Sequence, residues 1–60
     1  MPKQALAKEG DRIECYYNEA NTIREVATVI DDLQVMFFVR FDDGKERFIY
    51  KVEPYTLLKD

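Results

Sequence analysis

A lone thiol at Cys15 and two adjacent carboxylate pairs, Asp31-Asp32 and Asp42-Asp43, are the side chains in this chain best suited to chemistry, and the residues around them do not equip them for it. Histidine is absent, which removes the usual general base near neutral pH. Cys15 falls inside an alternating apolar and polar run with no basic helper beside it, so a buried, inert thiol is expected. Both carboxylate pairs sit between β-forming runs, where Asp shapes turns and stays solvated. With two glycines in the whole chain there is no glycine-rich phosphate loop. One cysteine and no histidine leave no zinc site of the usual nitrogen and sulfur type. No catalytic residue, metal or cofactor is therefore assigned, and the chain is expected not to be an enzyme.

Sixty residues make one small domain. A chain of this size buries only about 60% of the surface that it exposes when unfolded, so its stability is marginal without help. The single cysteine excludes an intrachain disulfide, and the core must come from four Tyr, four Phe and a good supply of Val, Ile and Leu. Oligomerisation or docking onto a larger partner remains open as a further source of stability. A free cysteine without a secretory signal fits a cytoplasmic setting. Apolar runs such as residues 35–39 are too short to cross a bilayer, so no membrane association is expected. The net charge of −3, from nine basic and twelve acidic residues, argues against a dedicated duplex-DNA binder.

The elements that must position any site read mostly as strands. Residues 1–10 carry an early Pro2, good helix formers and Gly10 as a stop, which predicts a short helix or an arm. From residue 11 the pattern is β. Ile13, Cys15 and Tyr17 alternate with Glu14 and Tyr16 over residues 12–17. Residues 18–21 are turn chemistry, 22–30 are a second β-branched run, and Asp31-Asp32 closes it. A third strand is expected over 34–41 and a fourth over 46–51. Pro54 breaks the ladder, for which a single 3₁₀ turn is the common solution, and residues 56–58 have room for a last strand. Five short strands with tight turns predict a small bent barrel over residues 11–60, since closure removes exposed edges.

Asp43-Gly44, flanked by two β-forming runs, is a strong hairpin signal. As a two-residue type I′ turn it predicts that Phe41 faces Glu46, Arg40 faces Arg47, Val39 faces Phe48, Phe38 faces Ile49 and Phe37 faces Tyr50. One face then carries Phe37, Val39, Phe41, Phe48, Tyr50 and Val52 as core. The other carries Met36, Phe38 and Ile49 beside Arg40, Arg47 and Lys51. Apolar residues ringed by basic ones suit a protein interface. Cover by the N-terminal segment through Ala5 and Leu6 would also account for them, as would a barrel curved strongly enough to bury parts of both faces.

The run from Phe41 to Glu46 resembles the hairpin between the third and fourth strands of the Tudor family of SH3-like barrels. Gly10 to Tyr17 is similar to that family's opening strand, and residues 26–30 sit where its second strand would run. The resemblance covers roughly residues 10–58. It implies an all-β, five-stranded SH3-like (Tudor-like) barrel, and in some members an aromatic cage with an acid that reads methylated lysine or arginine by cation–π attraction. Carried over, Phe41 would be one wall, Tyr16 or Tyr17 another, and Asp43 the acid. The chain departs from that pattern. It has no Trp, it places Arg24 and Glu25 where a further aromatic is expected, and Lys45 follows Gly44 where a cation would repel a cationic ligand.

Three functions follow as expectations. The first is a non-enzymatic protein-interaction module, an accessory subunit, regulator or inhibitor. It would use Met36, Phe38, Arg40, Arg47, Ile49 and Lys51 toward a protein partner or a second copy of itself. The second is a barrel binding single-stranded nucleic acid through Tyr16, Phe38, Arg40, Arg47 and Lys51, against which the acidic balance weighs. The third is the methyl-lysine or methyl-arginine reader built on Tyr16, Tyr17, Phe41 and Asp43.

Overall fold

In the computed structural model, which describes residues 6–58, the chain forms β1 (Arg12–Tyr16), β2 (Arg24–Asp32), β3 (Met36–Phe41), β4 (Glu46–Tyr50) and β5 (Thr56–Leu58). They make one antiparallel sheet in the order β4-β3-β2-β1-β5, a meander whose last strand returns beside the first. The sheet is not closed by hydrogen bonds: β4 and β5 are its two edges among the described residues. It is nevertheless strongly bent. The Arg47 guanidinium on β4 donates to the carbonyls of Tyr16 and Asn18, at the end of a strand three places away in the sheet, at 2.7 and 3.2 Å. A bulge in β2 adds to the bend: Val29 faces Val39 and Asp31 faces Phe38, which leaves Ile30 as the extra residue.

The inner face holds the core. Ile13 and Cys15 of β1, Ala27 and Val29 of β2, Phe37, Val39 and Phe41 of β3 and Ile49 of β4 are all buried, with Tyr17 and Leu57 packed against them. The alternation in the first and third strands therefore falls as the sequence predicts, because one face of each must leave water. Tyr55, beyond the break at Pro54, packs edge-on against Phe37 with ring centroids 5.6 Å apart. Its hydroxyl accepts a hydrogen bond from the Ala7 amide at 3.2 Å. The break itself is a single hydrogen-bonded turn, as expected, in which the Glu53 amide donates to the Tyr50 carbonyl at 2.9 Å.

The hairpin register differs from the expected one by one residue. Met36 faces Tyr50, Phe37 faces Ile49, Phe38 faces Phe48, Val39 faces Arg47 and Arg40 faces Glu46. The reason lies in the turn. A type I′ turn needs positive φ at both central residues, but Gly44 has φ 95° and Asp43 is not in that region. Instead the Gly44 amide donates to the Phe41 carbonyl at 2.9 Å, and the Phe41 amide donates to the Lys45 carbonyl at 2.7 Å. This is a three-residue loop with a G1 bulge, in which Gly44 and Lys45 together oppose Phe41. Because side chains alternate with period 2, one residue of slip exchanges the faces of β4. Ile49 goes to the core, at 1% exposure, while Phe48 and Tyr50, expected inside, are each 55% exposed. Val52, also expected inside, is exposed in the turn.

The second glycine repeats the device. Gly10, at φ 92°, donates to the Val29 carbonyl at 2.8 Å, and the Val29 amide donates to the Asp11 carbonyl at 2.9 Å, so Gly10 and Asp11 together oppose Val29. Gly10 thus opens β1 instead of ending a helix. Of the helix or arm expected over residues 1–10, residues 1–5, and with them Ala5, lie outside the described residues; residues 6–10 contain no helix. Ala7 enters the inner-face core and Leu6 is exposed, so neither covers Met36 and Phe38 in the way the sequence allowed.

At both glycines an added Cβ would meet nothing within 4 Å, so replacement costs backbone strain alone. Gly44→Ala and Gly10→Ala are each expected to lose about 1 kcal/mol of stability, read from urea denaturation followed by circular dichroism. No measurable loss at either position would show that the left-handed backbone there is not maintained in solution.

Candidate functional site

Two local features bring a set of residues together at one end of the sheet. The loop between β1 and β2 is organised by Asn18. Its side-chain oxygen accepts from the amides of Thr22 and Ile23, both at 3.1 Å, and its amide nitrogen donates to the Thr22 hydroxyl at 2.7 Å. The Tyr17 amide donates to the Ile23 carbonyl at 2.7 Å, which closes the loop and aims the Tyr17 ring back toward the hairpin turn. In that turn Asp43 forms an Asx turn, accepting from the Lys45 amide at 2.9 Å on one carboxylate oxygen. Its other oxygen accepts from the Tyr17 hydroxyl at 2.5 Å. The Tyr17 ring meets Phe41 edge-on, with centroids 4.8 Å apart.

These residues line a pocket of about 470 Å³. Tyr17, Phe41, Ile23 and Val26 supply its apolar wall, and Glu25, Asp42 and Asp43 supply three carboxylates; no basic residue lines it. Asp42 is held by Arg12 at 2.9 Å, and Asp43 is committed on both oxygens. Glu25 makes no ion pair or side-chain hydrogen bond among the described residues, so it is the uncommitted carboxylate of the pocket. Lys45 places its ammonium 4.2 Å from the Tyr17 ring centroid, on the side of a second, shallower pocket that also borders Glu19, Glu46, Arg47 and Phe48. Of the residues expected for an aromatic cage, Tyr17, Phe41 and Asp43 therefore meet. Tyr16 does not. It lies on the outer face under the Arg24 guanidinium, 5.0 Å from the ring centroid. Glu25 and Lys45, which the sequence marked only as departures, are the site's remaining charges.

The residues expected on the outer face of the hairpin divide. Met36, Phe38 and Arg40 are there, joined by Glu46, Phe48 and Tyr50. The Phe38 and Phe48 rings pack at a tilt of 43° with centroids 4.8 Å apart, and Arg40 donates to Glu46 at 2.8 Å. Ile49 is core, and Arg47 is turned inward onto the carbonyls of Tyr16 and Asn18. Lys51 lies 5.1 Å from the Phe37 ring centroid and pairs with Asp32 at 2.6 Å. The same division separates the residues expected to bind single-stranded nucleic acid, and Arg40, Arg47 and Lys51 each already have a partner.

The electrostatics follow the contacts. The Tyr17 hydroxyl bond holds the Asp43 carboxyl below its ordinary value of 3.8, helped by the Lys45 amide. The same bond, with burial and the Asp43 charge, raises the Tyr17 phenol above its ordinary value of 10. The phenol's contribution is thus intact below pH 10 and is lost as pH rises through its folded-state value; that of Asp43 is present above 3.8 and is lost as pH falls through its lower folded-state value. Burial pushes the Cys15 thiol up to about 11, against the nearby Arg47 and Arg24, so it is neutral near pH 7. Among the described residues no cluster of acidic or cysteine side chains could hold a metal, and no helix is long and apolar enough to cross a membrane.

Comparison with protein-family models, with curated proteins and with solved structures finds no match to this chain.

Two outcomes check this geometry. Asp43→Asn should return the Tyr17 phenol toward its ordinary value, as followed by NMR of the ring carbons across alkaline pH; an unchanged titration would mean that the bond is absent in solution. Cys15 should not react with an aromatic disulfide reagent at pH 8 until denaturant is added, and immediate labelling would show that β1 is not buried as described.

Proposed function

We propose that this chain is a small SH3-like barrel that works as a non-enzymatic protein-interaction module, and that the pocket at Tyr17 and Phe41 takes a cationic side chain of its partner. The meander whose last strand returns to the first, bent until Arg47 reaches the end of β1, supports the barrel reading. One observation carries the functional reading: an aromatic ring, apolar neighbours and three carboxylates converge on a pocket that no basic residue lines. Such a pocket favours a cation with an apolar stem, and that is the chemistry implied by the Tudor resemblance at Phe41 and Asp43. The absence of histidine, the neutral buried thiol and the turn position of Asp42-Asp43 support a non-enzymatic role; Asp31-Asp32, expected in a turn, instead forms the end of β2 against Phe38 and Phe37, with Asp32 paired to Lys51.

Titration of ¹⁵N-labelled protein with short lysine- and arginine-containing peptides should shift the amides of Tyr17, Ile23 and Glu25 and leave those of Phe48 and Tyr50 in place. Tyr17→Ala should remove the response. No shift at millimolar peptide would reject the pocket as the recognition site.

A second reading rests on the outer face, where Phe48 and Tyr50 are each 55% exposed beside Met36 and Phe38. Contiguous exposed aromatics of this kind mark protein contacts, either with another protein or with a second copy of the chain. Phe48→Asp should leave the circular dichroism spectrum and thermal midpoint near those of wild type while removing self-association or capture of a partner from lysate. If wild type and variant behave alike, this face is not an interface.

A further inference from the structure

We infer, building on the pocket reading above, that the side chain this pocket selects is an unmethylated arginine, with Glu25 as its carboxylate partner. A fully methylated ammonium has no N–H to donate and is held by ring faces that surround it. Ring faces are in short supply here. Phe41 is only 2% exposed and so offers the pocket little of its ring. Tyr17 packs on Phe41 at an interplanar angle of 71°, and the Lys45 ammonium over one face of its ring, 4.2 Å from the centroid, already occupies that face. Tyr16, the other candidate wall, is stacked with Arg24 on the opposite face of the sheet.

Carboxylate oxygens, in contrast, are plentiful. Asp42 and Asp43 are already engaged by Arg12, Tyr17 and Lys45, but Glu25 has both oxygens free among the described residues. A free carboxylate beside an apolar wall favours a cation that carries N–H donors. A guanidinium answers this better than an ammonium: its planar fork gives two parallel bonds to one carboxylate, and its weakly hydrated face packs on Ile23, Val26 and the remaining face of Tyr17. Methylation of the guanidinium would remove donors facing Glu25 and add bulk without finding new aromatic surface. The selectivity expected here is therefore for the unmodified side chain.

The test uses four peptides identical except at one central residue, which is arginine, symmetric dimethylarginine, trimethyllysine or glutamine. Affinities are read by NMR titration of the full chain and of its Glu25→Gln variant. The arginine peptide should bind several-fold more tightly than either methylated one, and the glutamine peptide should not bind. Glu25→Gln should weaken arginine binding about fivefold to tenfold and narrow its advantage over the methylated peptides. Equal or tighter binding of a methylated peptide would overturn the arginine assignment while leaving a cation pocket in place. Arginine binding that is indifferent to Glu25→Gln would overturn the role of that carboxylate. If no peptide shifts Tyr17 or Ile23, this inference and the pocket reading fall together.

Discussion

Gly44 holds a left-handed backbone at φ 95°, and the placement of every side chain on β4 follows from it. A left-handed residue after a type I turn sets two residues, Gly44 and Lys45, against the single Phe41, and the ladder beyond must pair with the offset this creates. Parity does the rest. Ile49 enters the core beneath Phe37, Arg47 points across the inner face, and Phe48 and Tyr50 face out. Gly10 solves the same problem at the start of β1 with the same pair of hydrogen bonds, there against Val29. The chain has two glycines and uses both in this way.

Arg47 shows how a register becomes a tertiary contact. Its guanidinium donates to the carbonyls of Tyr16, the last residue of β1, and Asn18 in the loop that follows. Charge-assisted bonds of this kind contribute about 1.5–3 kcal/mol each where they are shielded, which is large for a domain whose core, among the described residues, is ten side chains, three of them rings. The same contact draws the end of β1 toward the hairpin turn and so brings Tyr17 beside Asp43. Site and fold thus share a hinge of hydrogen bonds: Arg47 on the carbonyls, Tyr17 on the carboxylate, and the Asx turn that fixes Asp43.

The pocket that results is more electrostatic than aromatic. Phe41 serves the core first, and Tyr17 divides its surface between Phe41, Lys45 and the cavity. Arg12 and the Tyr17 hydroxyl satisfy two of the three carboxylates internally, which leaves the uncommitted charge at Glu25. A pocket built this way owes its shape to the turn, and its one uncommitted carboxylate among the described residues lies on β2.

Local chemistry in the chain was enough to determine that it is all β, that it has five short strands, where each lies to within two residues or so, and which face of β1 and β3 is core. Those properties depend on period-2 patterning and turn residues, which act over a few positions. The short range of the same signals left the hairpin register open. Asp-Gly serves a two-residue turn and a three-residue turn with Gly in the left-handed position equally well. The choice between them is made by what β4 must pack against: Ile49 fits beneath Phe37, and Arg47 finds carbonyls on a strand some thirty residues earlier. Tyr17 and Asp43 were legible as candidates only because the hairpin and opening strand resemble those of Tudor barrels. Tyr16 and Tyr17 were both carried as possible walls, and the alternation that places Tyr17 with the inner face and Tyr16 with the outer one puts the first beside the pocket and the second behind it. Glu25 stood out only as a departure from the aromatic pattern, because an unpaired carboxylate is recognised only once its neighbours are known to be paired.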